Sequence, residues 1–288
     1  MITESQRVRI EGHRLHRLVM HPEETVPVKA VAMFYHGQGD YAERYIEVLG
    51  PFTDRGIRCV VTDLPGHGLS PGRRGHCGDT ELLDAVIHDT LSSMAVMEGM
   101  PYGIMGHSMG GLLAARHLVQ SGMGEWPIPN FVWLSSPLVR PGHRRSPVYL
   151  MLIRWLARIF PSLTVSTGVT AQMCQVESVT EKKSPPEVEP KHQLWHDRVS
   201  MGWGTALLDF EKLVGHSLGQ IPQDVPLLYT QGAEDPICLP ELARGVFERL
   251  PSNDKQYHEL EDVLHEPFRG DGSERLFMVL NDWLDGHC

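Results

Sequence analysis

In Tyr102-Gly-Ile-Met-Gly-His-Ser-Met-Gly-Gly-Leu-Leu-Ala-Ala-Arg-His-Leu-Val119, a short strand runs into a glycine-rich turn and then into a helix. Residues 102–105 are the strand and 112–119 the helix. Between them stands Gly106-His107-Ser108-Met109-Gly110. Glycines at these positions let the backbone turn sharply without a Cβ clash, which lifts the serine hydroxyl clear of a sheet. The helix behind it aims its first amides at the same spot, favouring negative charge that develops there. A bare G-x-S-x-G recurs by chance, and a glycine-rich turn is ordinarily just a turn. The strand before it and the helix after it give this one its weight.

Outward from that stretch, the same alternation continues. Short apolar runs at 30–35, 57–62 and 131–134 read as strands, as do 226–229 and 255–260. Helical spacing covers 41–55, 81–97, 241–250 and 274–284. Residues 8–10 and 15–20 flank Glu11-Gly12 as an opening hairpin. Strands alternating with helices predict a mostly parallel sheet covered on both faces. The alternation fails from 139 to 224. That span holds an amphipathic run at 148–160, a polar, proline-containing patch at 181–191 and a second helical stretch at 201–213. It reads as an inserted helical cap, leaving 1–138 and 225–288 as the core domain.

A serine nucleophile needs a base, and the base needs an acid to orient it. Asp235 follows the 226–229 strand in Gln231-Gly-Ala-Glu-Asp-Pro, where open sheets of this class place their chemistry; its neighbour Glu234 is the alternative acid. A helix or turn cap is the plainer role for Asp235. His265 stands in the loop one strand later, whereas His258 lies within that strand and His287 near the end of the chain. With 16 histidines, position is the only selector. Serine, acid, histidine in that order is the chain order of the α/β-hydrolase fold, the fold class expected here. Donors for a tetrahedral oxyanion are expected from the amide of Met109 and from the loop His36-Gly37-Gln38-Gly39, with the amide of Gln38 first and its side chain second.

Longer motifs sharpen this. His36-Gly-Gln-Gly-Asp-Tyr-Ala-Glu-Arg-Tyr45, Asp63-Leu-Pro-Gly-His-Gly-Leu-Ser-Pro-Gly-Arg-Arg-Gly75, Gly106-His-Ser-Met-Gly-Gly111, Gly232-Ala-Glu-Asp235 and Leu264-His265 together resemble the monoacylglycerol lipase and lysophospholipase family of serine hydrolases. The first segment departs from the family pattern HGxGE…RY by Asp40 for glutamate and by Tyr41 where a histidine is common. The resemblance implies Ser108, Asp235 and His265 as the triad, a cap that supplies the acyl tunnel, and a membrane-facing lid. Gly37 and Cys238 are candidates for the substrate pocket. Cys238 follows Asp235 by three residues, as a cysteine does in some family members; a lone cysteine is more often a small core residue. Asp63, Arg74 and Asp89 read as scaffold.

In the run 148–160, Arg154 and Arg158 share one helical side, while Leu150, Met151, Ile153, Trp155, Ile159 and Phe160 cover much of the rest. Such a helix either lies on a lipid surface or packs the cap onto the core; the sequence leaves both open.

The 288 residues carry a formal net charge of −10 with no long basic run, which argues against a nucleic-acid partner. Five scattered cysteines without a CxxC pair read as reduced thiols. The opening Met1-Ile-Thr-Glu-Ser lacks an apolar signal-peptide core, and no run reaches the roughly 20 apolar residues of a spanning helix. Cytoplasmic residence is therefore expected. No HExxH motif occurs, and neither a metal nor a cofactor is expected. The family resemblance implies a lipid ester as substrate. A small-ester carboxylesterase, a peptidase or an acyltransferase would use the same triad, and a catalytically silent binding protein would share the fold.

Overall fold

The computed structural model describes residues 1–139, 146–174 and 194–287; the polar stretch 181–191 and Cys288 lie outside them. The hairpin of β1 (Ile2–Ile10) and β2 (His13–His21) turns at Glu11 and Gly12, both at positive φ, as a two-residue turn requires. The chain continues through β3 (Ala30–Tyr35), α1 (Gly50–Asp54), β4 (Ile57–Thr62), α2 (Thr80–Ser93), β5 (Tyr102–His107), α3 (Met109–Gly122) and β6 (Phe131–Ser135). The insertion carries α4 (Pro147–Ile159), β7 (Thr164–Ser166), β8 (Arg198–Ser200) and α5 (Met201–Ser217). Then come β9 (Leu227–Gly232), α6 (Pro240–Phe247), β10 (Lys255–Leu260) and α7 (Ser273–His287).

The main sheet runs β1-β2-β4-β3-β5-β6-β9-β10, antiparallel in its first three strands and parallel from β4 to β10. This is the expected α/β-hydrolase architecture. The central strands are apolar on both faces because both faces are covered. In β6, Val132 and Leu134 point to the side packed by α2, α3 and α5, and Phe131 and Trp133 to the side packed by α1 and α7. Phe52 of α1 stacks on Trp133 at 5.7 Å. The helix expected over 41–55 is instead a short 3-10 turn, Ala42–Tyr45, followed by α1. Pro51 has no N–H to continue an earlier helix and serves in the first turn of a new one. The helix expected over 81–97 stops at Ser93, because Ala95 turns left-handed at φ 58°.

The strand order reverses between β3 and β5, and the loops after β3, β5, β9 and β10 leave the same carboxyl edge. Such a reversal opens the crevice in which this class of sheet binds ligands. The segment between β6 and β9 borders it at Val169 and Trp195. Its second half is rooted in the main core, where α5 buries Trp203, Leu207, Phe210 and Val214. Its first helix is held differently: α4 packs on α5, and Arg154 pairs with Asp209. Met151, Trp155, Ile159 and Phe160 stay exposed, so they pack on nothing in the core.

Candidate active site

Ser108 stands at φ 54° and ψ −119°, between the last residue of β5 and the first of α3. The serine carries the strain of the turn itself, while its glycines answer a different need. A Cβ on Gly106 would lie 2.2 Å from the Gly110 carbonyl oxygen, and one on Gly110 would lie 1.9 Å from that of Tyr35. Only glycine permits so close an approach of strand, turn and helix. The turn is tied down on both sides: the Ser108 N–H donates to the Ser135 carbonyl at 3.0 Å, and the Leu138 N–H donates to the Ser108 carbonyl at 2.9 Å.

Three distant stretches meet at this elbow. His265 Nδ1 lies 2.7 Å from Asp235 Oδ2, and its Nε2 lies 2.8 Å from Ser108 Oγ. An ionised carboxylate only accepts, so Nδ1 carries the ring proton and Nε2 accepts from the serine hydroxyl. The Asp235 carboxylate is itself fixed. Gln231 Nε2 donates to Oδ2 at 2.9 Å, and the amides of Ile237 and Cys238 donate to Oδ1 at 2.8 and 2.9 Å. Glu234 is exposed, so it is Asp235 and not its neighbour that reaches the imidazole. His258 lies on β10 beside Gln256, and His287 bonds the Trp283 carbonyl and Asp254; neither belongs to this group.

His107 packs its ring against that of His265, with centroids 4.9 Å apart. Burial, and then the nearby His265, hold His107 well below the usual histidine range, so it meets the neighbouring ring uncharged. Met109, the first residue of α3, has no carbonyl within the helix to receive its N–H. Among the described residues the Gln38 amide has no acceptor either. The Gln38 side chain is occupied elsewhere, which disfavours its direct contact with substrate: Nε2 donates to the Arg198 carbonyl at 2.7 Å, and Oε1 accepts from Trp203 Nε1 at 3.2 Å.

A small cavity above Ser108 is lined from the core by Gly37, Gln38, His107 and Ile237, and from the insertion by Val169 and Trp195. Gly37, a candidate for the substrate pocket, is among these lining residues. Cys238 is not. Its amide is drawn to Asp235, which leaves Ile237 facing the cavity, and its buried sulfur lies within 4.8 Å of the Asp235 and His265 ligand atoms. Burial raises its thiol well above the usual range, so it stays protonated. Cys59, Cys77, Cys174 and Cys238 are all free and buried.

Sequence reasoning gave no role to a buried ionic bridge beside the triad. Arg44 donates to Asp40 Oδ1 at 2.9 Å and to Glu266 Oε2 at 2.5 Å, joining the loop after β3 to the residue that follows His265. Tyr45 completes it, donating to Asp40 Oδ2 and accepting from the Gly37 N–H. Burial raises the Glu266 carboxyl, and the Arg44 charge opposes that rise. Arg44 and Tyr45 stood in the quoted motif, but nothing local to Glu266 announced its partner 222 residues away. Asp63 is scaffold, as expected: it accepts from the amides of Ala42 and Leu69 and from His16. Arg74 holds the Gly68 carbonyl, and Asp89 pairs with Arg17.

Residues 26–271 match the model of the Hydrolase_4 family, described as serine aminopeptidase, S33. The chain belongs to this family of serine hydrolases. The hydrolase is 28% identical over 261 residues to Phospholipase YtpA of Bacillus subtilis, covering 89% of this chain and 95% of that one. It is equally similar, over 261 residues and 90% of its own length, to an uncharacterized abhydrolase domain-containing protein of Dictyostelium discoideum, of which it spans only 26%. Among solved structures, it superposes on a monoacylglycerol lipase of Paleococcus ferrophilus with a TM-score of 0.79 and 26% identity, covering 95% of this chain and 99% of that one. Among its described residues, no helix is long and apolar enough to cross a membrane.

Proposed function

We propose that the hydrolase cleaves carboxylic esters of lipids, monoacylglycerols or lysophospholipids, through an acyl-enzyme on Ser108. The observation that carries this reading is the continuous hydrogen-bonded series Asp235–His265–Ser108 at the carboxyl edge of the sheet. Ser108 Oγ attacks the ester carbonyl while His265 Nε2 takes its proton. The amides of Gln38 and Met109 hold the oxyanion of the tetrahedral intermediate. Its collapse breaks the bond to the alcohol, which leaves with the proton from His265. Water, deprotonated by His265, then attacks the acyl carbonyl, and the fatty acid departs as Ser108 regains its hydrogen. Asp235 keeps the imidazole in the required tautomer throughout. The names of the relatives, a phospholipase and a monoacylglycerol lipase, support a lipid ester as substrate.

Residues 139–224 act in this reading as a cap over the core of 1–138 and 225–288. The cap meets a lipid surface transiently through the outer face of α4, supported by Trp155 and Met151, 58% and 66% exposed. The protein then works in the cytoplasm at membrane surfaces, a setting its free thiols suit.

The test compares a 1-monoacylglycerol, a lysophospholipid and a p-nitrophenyl acetate under one condition, with fluorophosphonate labelling of intact protein alongside. Turnover and labelling are expected in the wild type. Ser108→Ala abolishes labelling and lowers kcat by about 10⁴-fold or more. A wild type that fails to label, or an alanine variant that keeps its turnover, overturns the proposal. Turnover of acetate alone reduces it to a general esterase.

A further inference from the structure

The side chains of Gln38 and Met109 share one partner. The Trp203 indole N–H, buried at the start of α5, lies 3.2 Å from Gln38 Oε1 and 3.2 Å from Met109 Sδ. Trp203 is held in turn: its backbone amide donates to Ser200 Oγ, which caps α5, and its ring meets Phe210 edge-on at 6.0 Å. The other end of the Gln38 side chain is held as firmly. Nε2 donates to the Arg198 carbonyl and faces His67 Nε2 at 3.2 Å. Burial keeps His67 uncharged; its Nδ1 proton goes to the Pro65 carbonyl, leaving Nε2 as an acceptor for the glutamine. The backbone of the loop is pressed from the same side. The His196 N–H donates to the Gly39 carbonyl, and a Cβ on Gly39 would lie 1.7 Å from the His196 carbonyl oxygen. Arg198, His196 and Trp203 all belong to the insertion.

We infer that Trp203, acting through the Gln38 side chain and the Met109 sulfur, is a positioning residue that sets the separation of the two oxyanion-binding amides. On this inference the insertion supplies the support of the oxyanion hole as well as a cover for the site. The strand ends fix the triad from below, and α5 fixes the donors from above. The inference rests on the reading of the Gln38 and Met109 amides as the oxyanion donors. It goes beyond that reading by making tetrahedral-state binding depend on a side chain that never touches substrate.

Trp203→Phe keeps the ring and removes the N–H; Gln38→Met keeps the backbone amide and the side-chain length and removes the polar ends. Each is measured on a soluble p-nitrophenyl butyrate, with active sites titrated by fluorophosphonate so that kcat counts only folded, competent molecules. Each variant is expected to lose about 5- to 50-fold in kcat, less than the loss of an oxyanion donor itself, with KM within about twofold. Affinity for a trifluoromethyl ketone, which forms a tetrahedral adduct on Ser108, should fall in parallel with kcat/KM. The double variant should be no worse than about twofold below the weaker single, since both changes break one chain of contacts. Wild-type kcat per titrated site in Gln38→Met overturns the inference, as does a loss confined to thermal stability or KM, or fully additive single effects. Should Trp203→Phe fail to fold, Gln38→Met decides alone. Loss of activity in Ser108→Ala beside unchanged kcat in Gln38→Met sinks this inference and leaves the proposed function standing.

Discussion

The two sides of the crevice are held in opposite ways. Beneath Ser108, both oxygens of Asp235 are occupied, and the neighbouring buried Asp40 and Glu266 are joined through Arg44. On α4 and at Phe160 just after it, a tryptophan, a phenylalanine and several aliphatic side chains face solvent, and the ion pair to α5 is itself largely exposed. Chemistry tolerates little displacement, so the lower side is built from groups that leave no alternative arrangement. Collecting a lipid substrate, as proposed above, requires an accessible surface, and the exposed apolar side chains of α4 would provide one. Rigidity and exposure are thus assigned to different parts of one chain.

The sharpest way to break that contrast is Arg44→Met, which leaves Asp40 and Glu266 buried without their cation. Unpairing a buried bridge costs about 3–5 kcal/mol, so the urea midpoint should drop far below that of the wild type. A shift under about 1 kcal/mol would mean that the lower side is no firmer than α4. Acid probes the same side more gently. Burial, with Arg116 nearby, pushes His117 down to about 3, and His107 and His67 are lowered in the same sense. These rings enter the fold uncharged, so their contribution is intact above the unfolded value near 6.5 and is lost as pH falls below it, for His117 down to about 3. Within that window His117 removes on the order of 1 kcal/mol per pH unit. His16 acts with the opposite sign: burial resists its charging, but the bond and charge of Asp63 outweigh it and raise its pKa. Urea midpoints at pH 7.5 and 5 should therefore differ, with a shallower dependence in His117→Gln; equal midpoints would refute the account.

Changes on α4 should behave otherwise. Trp155→Ser is expected to weaken partition onto neutral lipid vesicles about tenfold, as loss of a buried aromatic side chain would. Its thermal midpoint should stay that of the wild type. Unchanged partition would remove α4 from the docking surface. Smallest of all, Arg154→Ala should cost under about 0.5 kcal/mol, because its pair with Asp209 is exposed. A larger loss in chemical denaturation would show α4 to be anchored more firmly than its contacts suggest.

How much of this could be read in the sequence follows the same division. Most of the parallel strands were legible because they are short, largely apolar runs bounded by turn residues, and the hydrogen-bonded group because fold order and loop position pick out Ser108, Asp235 and His265 among many candidates. Of β1, only its last three residues had been visible. Its first half, Thr3-Glu-Ser-Gln6, is an exposed edge and carries no apolar face to betray it. The three-residue strands β7 and β8 are too short for any period to register. Gln231, Arg44 and Glu266 escaped for another reason: their importance lies in partners brought near only by folding. The apolar run of α4 was plain, but periodicity alone does not say whether such a face is covered.

The elbow also sets two pressures on residue 108 against each other. A side chain at φ 54° strains the backbone, and glycine would rest there at ease. Selection for robustness alone would therefore favour a sequence that has lost its hydroxyl. The most durable form of this fold and the most active one part company at a single Cβ.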